Sequence, residues 1–142
     1  MPIKEEISES SIFQVVICDD IRHELNNKVS LMGVFSADIL VSDFPAKAIN
    51  LAIYVQFQLS KGKHTFTVEI TYSGEKRFLI EGEIEAAEGS AAYFASPQLR
   101  LAASEEGDIE FKVSLDGAQS ERTEKKHISK GDISLLGRVP AP

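Results

Sequence analysis

Cysteine is nearly missing: Cys18 is the single one in 142 residues. No intramolecular disulfide can form, and the composition suits a reducing cytosol. Positive charge is in deficit, with 15 Lys and Arg against 22 Asp and Glu and a formal net charge of -7. A broad nucleic-acid footprint needs basic side chains to neutralise phosphates, and anionic lipid needs the same, so both are disfavoured as partners. Long apolar runs are absent too. The longest, "INLAIYVQF", is interrupted by Asn50 and Gln56 and falls far short of the ~20 residues that cross a bilayer as a helix. The N-terminal "MPIKEEISESS" lacks the basic and apolar regions of a signal peptide. A cytoplasmic protein without a membrane partner is the expectation. No window of useful length carries a sustained helical apolar repeat. GxSxG, P-loop and HExxH patterns are also missing, which leaves no local pairing of nucleophile and base and argues against an enzyme.

What is present is a chain of one domain's length, 43% hydrophobic and 26% charged, in the range of globular rather than disordered proteins. A chain of this size hides roughly 68–70% of its unfolded surface, enough for a core without metal or disulfide. The dominant period is two. In "HTFTVEITY", Phe66, Val68, Ile70 and Tyr72 alternate with Thr65, Thr67, Glu69 and Thr71, the pattern of a strand with one wet face. "NLAIYVQFQL" places Leu51, Ile53, Val55, Phe57 and Leu59 on one side. "KRFLIEGEIEA" sets Phe78, Ile80, Gly82 and Ile84 against Arg77, Glu81, Glu83 and Glu85; "DIEFKVSLDG" sets Ile109, Phe111, Val113 and Leu115 against Glu110, Lys112 and Ser114. Turn-rich stretches at 60–63, 73–76, 104–108 and 115–119 separate these runs as hairpins or corners, and Asp116-Gly117 is the clearest turn. The stretch from Gln119 to Lys130 is almost entirely polar; if it forms a strand, it belongs at a sheet edge, where Lys125 and Lys126 would deter edge pairing. These features predict one all-β domain over 1–142, an immunoglobulin-like or similar β-sandwich of about eight or nine strands. It has an N-terminal arm at 1–11 and a tail at 131–142 whose "ISLL" adds a strand or docks on a neighbour.

The densest group of reactive side chains lies in "VVICDDIRHELNNKVSLMGVFS", where Cys18, Asp19, Asp20, His23 and Glu24 fall within seven residues. A metal site needs ligands converging from one direction. In an extended chain His23 and Glu24 point to opposite faces, and Cys18, on the preceding strand, suits a small buried hydrophobe. The expected structure is a strand running into an acidic corner at Asp19-Asp20, then a hairpin turning at Asn26-Asn27, which tolerate positive φ. A two-residue turn would place Glu24 and Arg22 on the face of Val29 and Leu31. A three-residue turn including Lys28, with a bulge, instead pairs Leu25 with Val29 and His23 with Leu31, leaving Glu24 wet. Asp19, Asp20, Arg22 and Glu24 are thus candidate structural-corner or interaction residues, with no catalytic, cofactor or metal residue assigned.

The run "ICDDIRHELNNKVSLMGVFSADILV" followed by "FPAKAINLAIYVQF" resembles the opening of a family of small, uncharacterised bacterial proteins. That pattern has a C-D-D corner, R-x-E, an N/G-K turn, S-x-x-G-V-[FY], a Pro-containing connection and a long apolar strand. Asp19, Asp20, Arg22, Glu24, Lys28, Gly33, Val34 and Pro45 fit it. "PQLRLAASEEGDIEFKVSLDG" resembles the family's closing hairpin, with Ile109 where relatives tend to carry an aromatic, which implies that no Tyr hydroxyl braces that corner. The resemblance spans about Ile12 to Gly117 and implies a β-sandwich without an assigned activity.

The remaining candidates are weak. Glu81, Glu83, Glu85 and Glu88 form an acidic stripe. The loop acids Asp38, Asp43, Asp108, Asp116 and Asp132 could gather at one end of a sandwich to hold calcium, though without D-x-D-x-D spacing. His23, His64 and His127 fall on separate elements, and Glu121 and Glu124 cancel most of the charge of Arg122, Lys125 and Lys126. The expected function is a non-enzymatic structural or protein-interaction module, with a protein partner or self-association and no cofactor. The alternative is a calcium- or small-ligand-binding sandwich using acidic loops.

Overall fold

The computed structural model describes residues 9–131, and these contain ten strands and no helix, one or two strands more than the alternation predicts. The strands are β1 Ser11–Glu24, β2 Lys28–Val34, β3 Ile39–Val41, β4 Ala46–Leu59, β5 Gly62–Tyr72, β6 Glu75–Ala86, β7 Ser90–Ala95, β8 Leu99–Ala103, β9 Gly107–Leu115 and β10 Ser120–Lys130. One sheet runs β2-β1-β4-β7, with β8 also on β4; the other runs β3-β10-β9-β5-β6. The expected role of Ile133–Pro142 lies outside the described residues, as does most of the expected arm at 1–11.

The two sheets face each other because each carries one continuous apolar face. Leu51, Ile53, Val55, Phe57 and Leu59 of β4 are fully buried against Phe66, Val68, Ile70, Phe111, Val113 and Leu115 of the opposing sheet. Burying each such side chain stabilises by about 1.5–3 kcal/mol. Toward one edge, Phe66 links the layers, its ring 5.5 Å from Phe57 and 4.8 Å from Phe94. That ring lies opposite Gly82, where an added Cβ would come within 2.5 Å of it. The glycine in "EGEIE" is therefore a space requirement.

β7 and β8 are two pieces of one strand lane. β7 pairs with Tyr54–Leu59 and β8 with Ala46–Leu51. The break falls at Ser96-Pro97. Pro97 has no N–H to give, and the buried Ser96 hydroxyl accepts the Ile53 N–H at 2.9 Å while donating to the Pro97 carbonyl. A side chain thus replaces a missing ladder bond.

The connection at 104–106 differs in two respects from what the family resemblance implies. Residues 104–106 do not close a hairpin: β8 lies on β4 and β9 lies between β5 and β10, so the chain crosses between sheets here. A Tyr hydroxyl does brace this corner, supplied by the neighbouring β5. Tyr72 donates to the Glu105 carbonyl and accepts the Glu105 N–H. The aromatic missing at Ile109 is replaced from across the sheet.

Candidate functional site

β1 begins as an ordinary partner of β4, paired from Ser11↔Gln58 to Cys18↔Ala52. There the two separate, although β1 itself continues unbroken to Glu24, paired only with β2. Asp19-Asp20 is thus a bend inside one strand and not the end of one. Alternation reveals the bend: Val15 and Ile17 face the main core, whereas Cys18 and Ile21, three residues apart, share a second small cluster with Ala52. Odd spacing on one face requires the strand to turn over between them. The Asp20 carboxylate caps the irregularity by accepting the Ile21 N–H at 2.9 Å. Across from it, Gly33 has φ +66°, and an added Cβ would lie 2.9 Å from the Asp19 Cβ.

Beyond the bend, the hairpin folds back over the outer face of its own sheet. A straight continuation from Cys18 would carry Asn27 ~30 Å away from the paired region. Instead the Tyr93 hydroxyl reaches Asn27 Oδ1 at 3.5 Å, and Tyr93 is level with Gln56 and Gln14, back along the sheet. Gln98 Nε2 also donates to the Asp19 carbonyl at 3.1 Å. The flap buries Cys18, Ile21 and Ala52, with Val29, Leu31, Tyr54 and Ala95 packed around them. Cys18 Sγ lies 3.7 Å from the Ala52 carbonyl and 3.4 Å from that of Asp20, and burial pushes its thiol up to about 11. It is a protonated, structural thiol.

The hairpin loop is Leu25–Asn27, closed by Glu24↔Lys28, with Asn26 and Asn27 at φ 62° and 58°. The expected register is thus corrected by two residues: His23 lies opposite Val29 and Ile21 opposite Leu31. A slip of two preserves every face. It nevertheless moves His23 toward the exposed tip, where the hydrophobic Leu25 stands 85% exposed. Of the four residues singled out in the sequence, Asp20, Arg22 and Glu24 share the outward face of the flap, and the Glu24 carboxylate accepts the Ser30 hydroxyl at 3.2 Å. Asp19 stands apart, on the opposite side of the bend.

Asp19 lines a groove of about 480 Å³ that opens at the fork where β1 leaves β4. Five consecutive residues of β4, Ala46–Asn50, and five more, Ile39–Asp43, form its walls, with Phe35 and Pro45. Ala46–Asn50 line it in succession, across a bulge between Ala46 and Ile49 that leaves Lys47 and Ala48 both exposed, and the groove runs along the strand's edge. That edge is open: β1 pairs with β4 only from Ala52 onward, and β3 pairs only with β10 among the described residues. No sequence signal marked this groove, because it arises from a divergence of two strands distant in sequence.

The histidines do not converge. His64 sits buried at the corner joining the sheets, Nδ1 2.7 Å from Asp116 Oδ2 and Nε2 2.7 Å from the Ser60 carbonyl. Both partners are acceptors, so both ring nitrogens carry hydrogen. The Asp116 bond, then the Ser60 bond, raises its pKa. His127 bridges Asp108 at 2.7 Å and Glu106 at 2.8 Å, with its pKa raised by Asp108 first. His23 is on the flap.

The loop acids are dispersed. Asp116 serves His64 and the Thr65 N–H, Asp108 serves His127 and Lys125, and Asp43 pairs with Lys130. Asp38 shares a hollow with Asp108, but Lys125, Lys126 and His127 line it too. Asp132 lies outside the described residues. No group of three or more His, Cys, Asp or Glu side chains among the described residues is placed to hold a metal ion. No helix among them is long and apolar enough to cross a membrane.

No curated protein matches the chain. A family model does, over residues 14–125, from the β1–β4 pairing through the flap and the groove to the middle of β10. The chain belongs to this family, described as a family of unknown function (DUF6941).

Proposed function

We propose that the protein is a non-enzymatic protein-interaction module of the bacterial cytoplasm, and that the groove at the β1–β4 fork is its binding site. The observation that carries this reading is the groove's construction from two open strand edges beside Asp19. Unpaired strand edges are the standard receptors for other polypeptides, and folded proteins generally cover or charge them. The free edge of β6 carries Glu81, Glu83 and Glu85. The groove edge of β4 presents Ala46, Lys47, Ala48, Ile49 and Asn50, with a single charge. The net charge of -7 sets the module against nucleic acid as the partner.

A selection from a random twelve-residue peptide library on the whole protein tests this. Enriched peptides are expected to bind the native protein and to lose binding to Ala48→Trp, in which an exposed groove residue becomes an obstruction. Failure to enrich any peptide, or enriched peptides indifferent to Ala48→Trp, removes the reading.

A further inference from the structure

The geometry points to a defined class of ligand for this groove: an extended peptide of a partner protein, apolar at alternate positions and carrying a cationic residue, bound as an added strand on the Ala46–Asn50 edge of β4. The inference rests on the proposed interaction role and specifies its chemistry.

Three observations determine the class. First, the walls are strand edges. β8 occupies one edge of Ala46–Leu51, and the other edge has no strand partner, since β1 joins β4 only at Ala52. The segment carries a bulge between Ala46 and Ile49, and the backbone N–H and C=O groups on its unpaired side face the groove. A helix satisfies its own backbone groups and has no use for such an edge. Second, the lining includes the half-buried Phe35, Val41 and Ala46 and the exposed Ala48, which offer apolar contact above the buried Ile39 and Ile49. On an added strand only every second side chain faces a given wall, so the ligand is apolar at alternate positions. Third, Asp19 is exposed at the fork, and its carboxylate has no hydrogen-bond or ion-pair partner among the described residues. Asp43 lies on the same rim, though it already holds Lys130 at 3.4 Å. With the molecule at -7, Asp19 selects a Lys or Arg on the incoming peptide.

The test uses one enriched peptide, fluorescently labelled, with affinity read by anisotropy on the full-length protein. N-methylation at alternate residues, which removes the hydrogens a strand partner must donate, is expected to weaken binding about tenfold or more. N-methylation at the intervening residues is expected to change it little. Asp19→Asn is expected to weaken a cationic peptide severalfold and leave its Lys→Gln analogue unaffected. This chemistry alters the ligand, so it does not depend on any protein variant folding. If N-methylation at both sets of positions is tolerated while Ala48→Trp still abolishes binding, strand addition is wrong and the interaction role stands. If the peptide binds only a chain truncated after Gly131, the protein's own residues 132–142 compete for the groove and the partner assignment is overturned. A peptide indifferent to Ala48→Trp removes the underlying reading as well.

Discussion

The thiol of Cys18, read from the sequence as a small buried hydrophobe, and the imidazole of His64 both have structural roles. Cys18 is fully buried beneath the flap and its pKa is pushed up to about 11. Native protein at pH 8 is expected to react with a thiol reagent orders of magnitude more slowly than urea-unfolded protein; equal rates would contradict the burial. His64 holds two acceptors at once, which needs the imidazolium. Its folded pKa is raised above the unfolded value of about 6.5. The stability it contributes is therefore complete below about pH 6.5 and is lost as pH rises through the folded pKa. His127 acts with the same sign, so the cleanest comparison is His64→Gln in a His127→Gln background. The thermal midpoint of the parent is expected to fall on going from pH 6 to pH 8.5, and His64→Gln to flatten that fall. An unchanged slope would exclude the His64 contribution. Ser96 gives a third test. Ser96→Ala leaves the buried Ile53 N–H without its acceptor and is expected to cost about 1–3 kcal/mol in urea unfolding.

Among the elements, the flap depends on Gly33. The left-handed φ costs a non-glycine residue about 1–2 kcal/mol, and any Cβ there meets that of Asp19. Gly33→Val is expected to loosen the hairpin locally and speed native-state labelling of Cys18 at least tenfold; unchanged labelling would show that the flap is held elsewhere. How legible these elements were varies with the cause of each. The inward faces of β4 from Ile49 onward, of β5 and of β9 follow from alternation alone, because each buries one face there. The positive φ at Asn26 and Asn27 follows from residue chemistry. The fold-back of β1 does not. Asp19-Asp20 reads equally as a strand end or as a mid-strand bend, and only contacts as remote as Tyr93 with Asn27 distinguish them. The crossing at 104–106 is hidden for the same reason: a short acidic-Gly connection fits a hairpin or an arch, and sheet membership decides. The four acidic-corner residues were visible as a group. That the bend separates Asp19 from Asp20, Arg22 and Glu24 was not.

At the scale of the whole molecule, the fork is one of several unpaired sheet edges among the described residues, beside the outer edges of β2, β6, β7 and β8. The outer face of the β5–β9–β10 layer is a hydrated mix of Thr, Glu and Lys, and β6 is guarded by its glutamates. The fork instead offers backbone and apolar side chains beside the Asp19 carboxylate, which has no partner among the described residues. One bend in β1 therefore has two effects, sealing Cys18 beneath the flap and uncovering the edge of β4 from Ala46 to Asn50. Amide hydrogen exchange of this segment, with and without a selected groove peptide, tests that link most directly. The account predicts that alternate amides of Ala46–Asn50 exchange quickly in the free protein and slow markedly in the complex, while those of Val55–Leu59 stay protected in both. Protection of the Ala46–Asn50 edge already complete in the free protein, or unchanged on saturation with peptide, would contradict it.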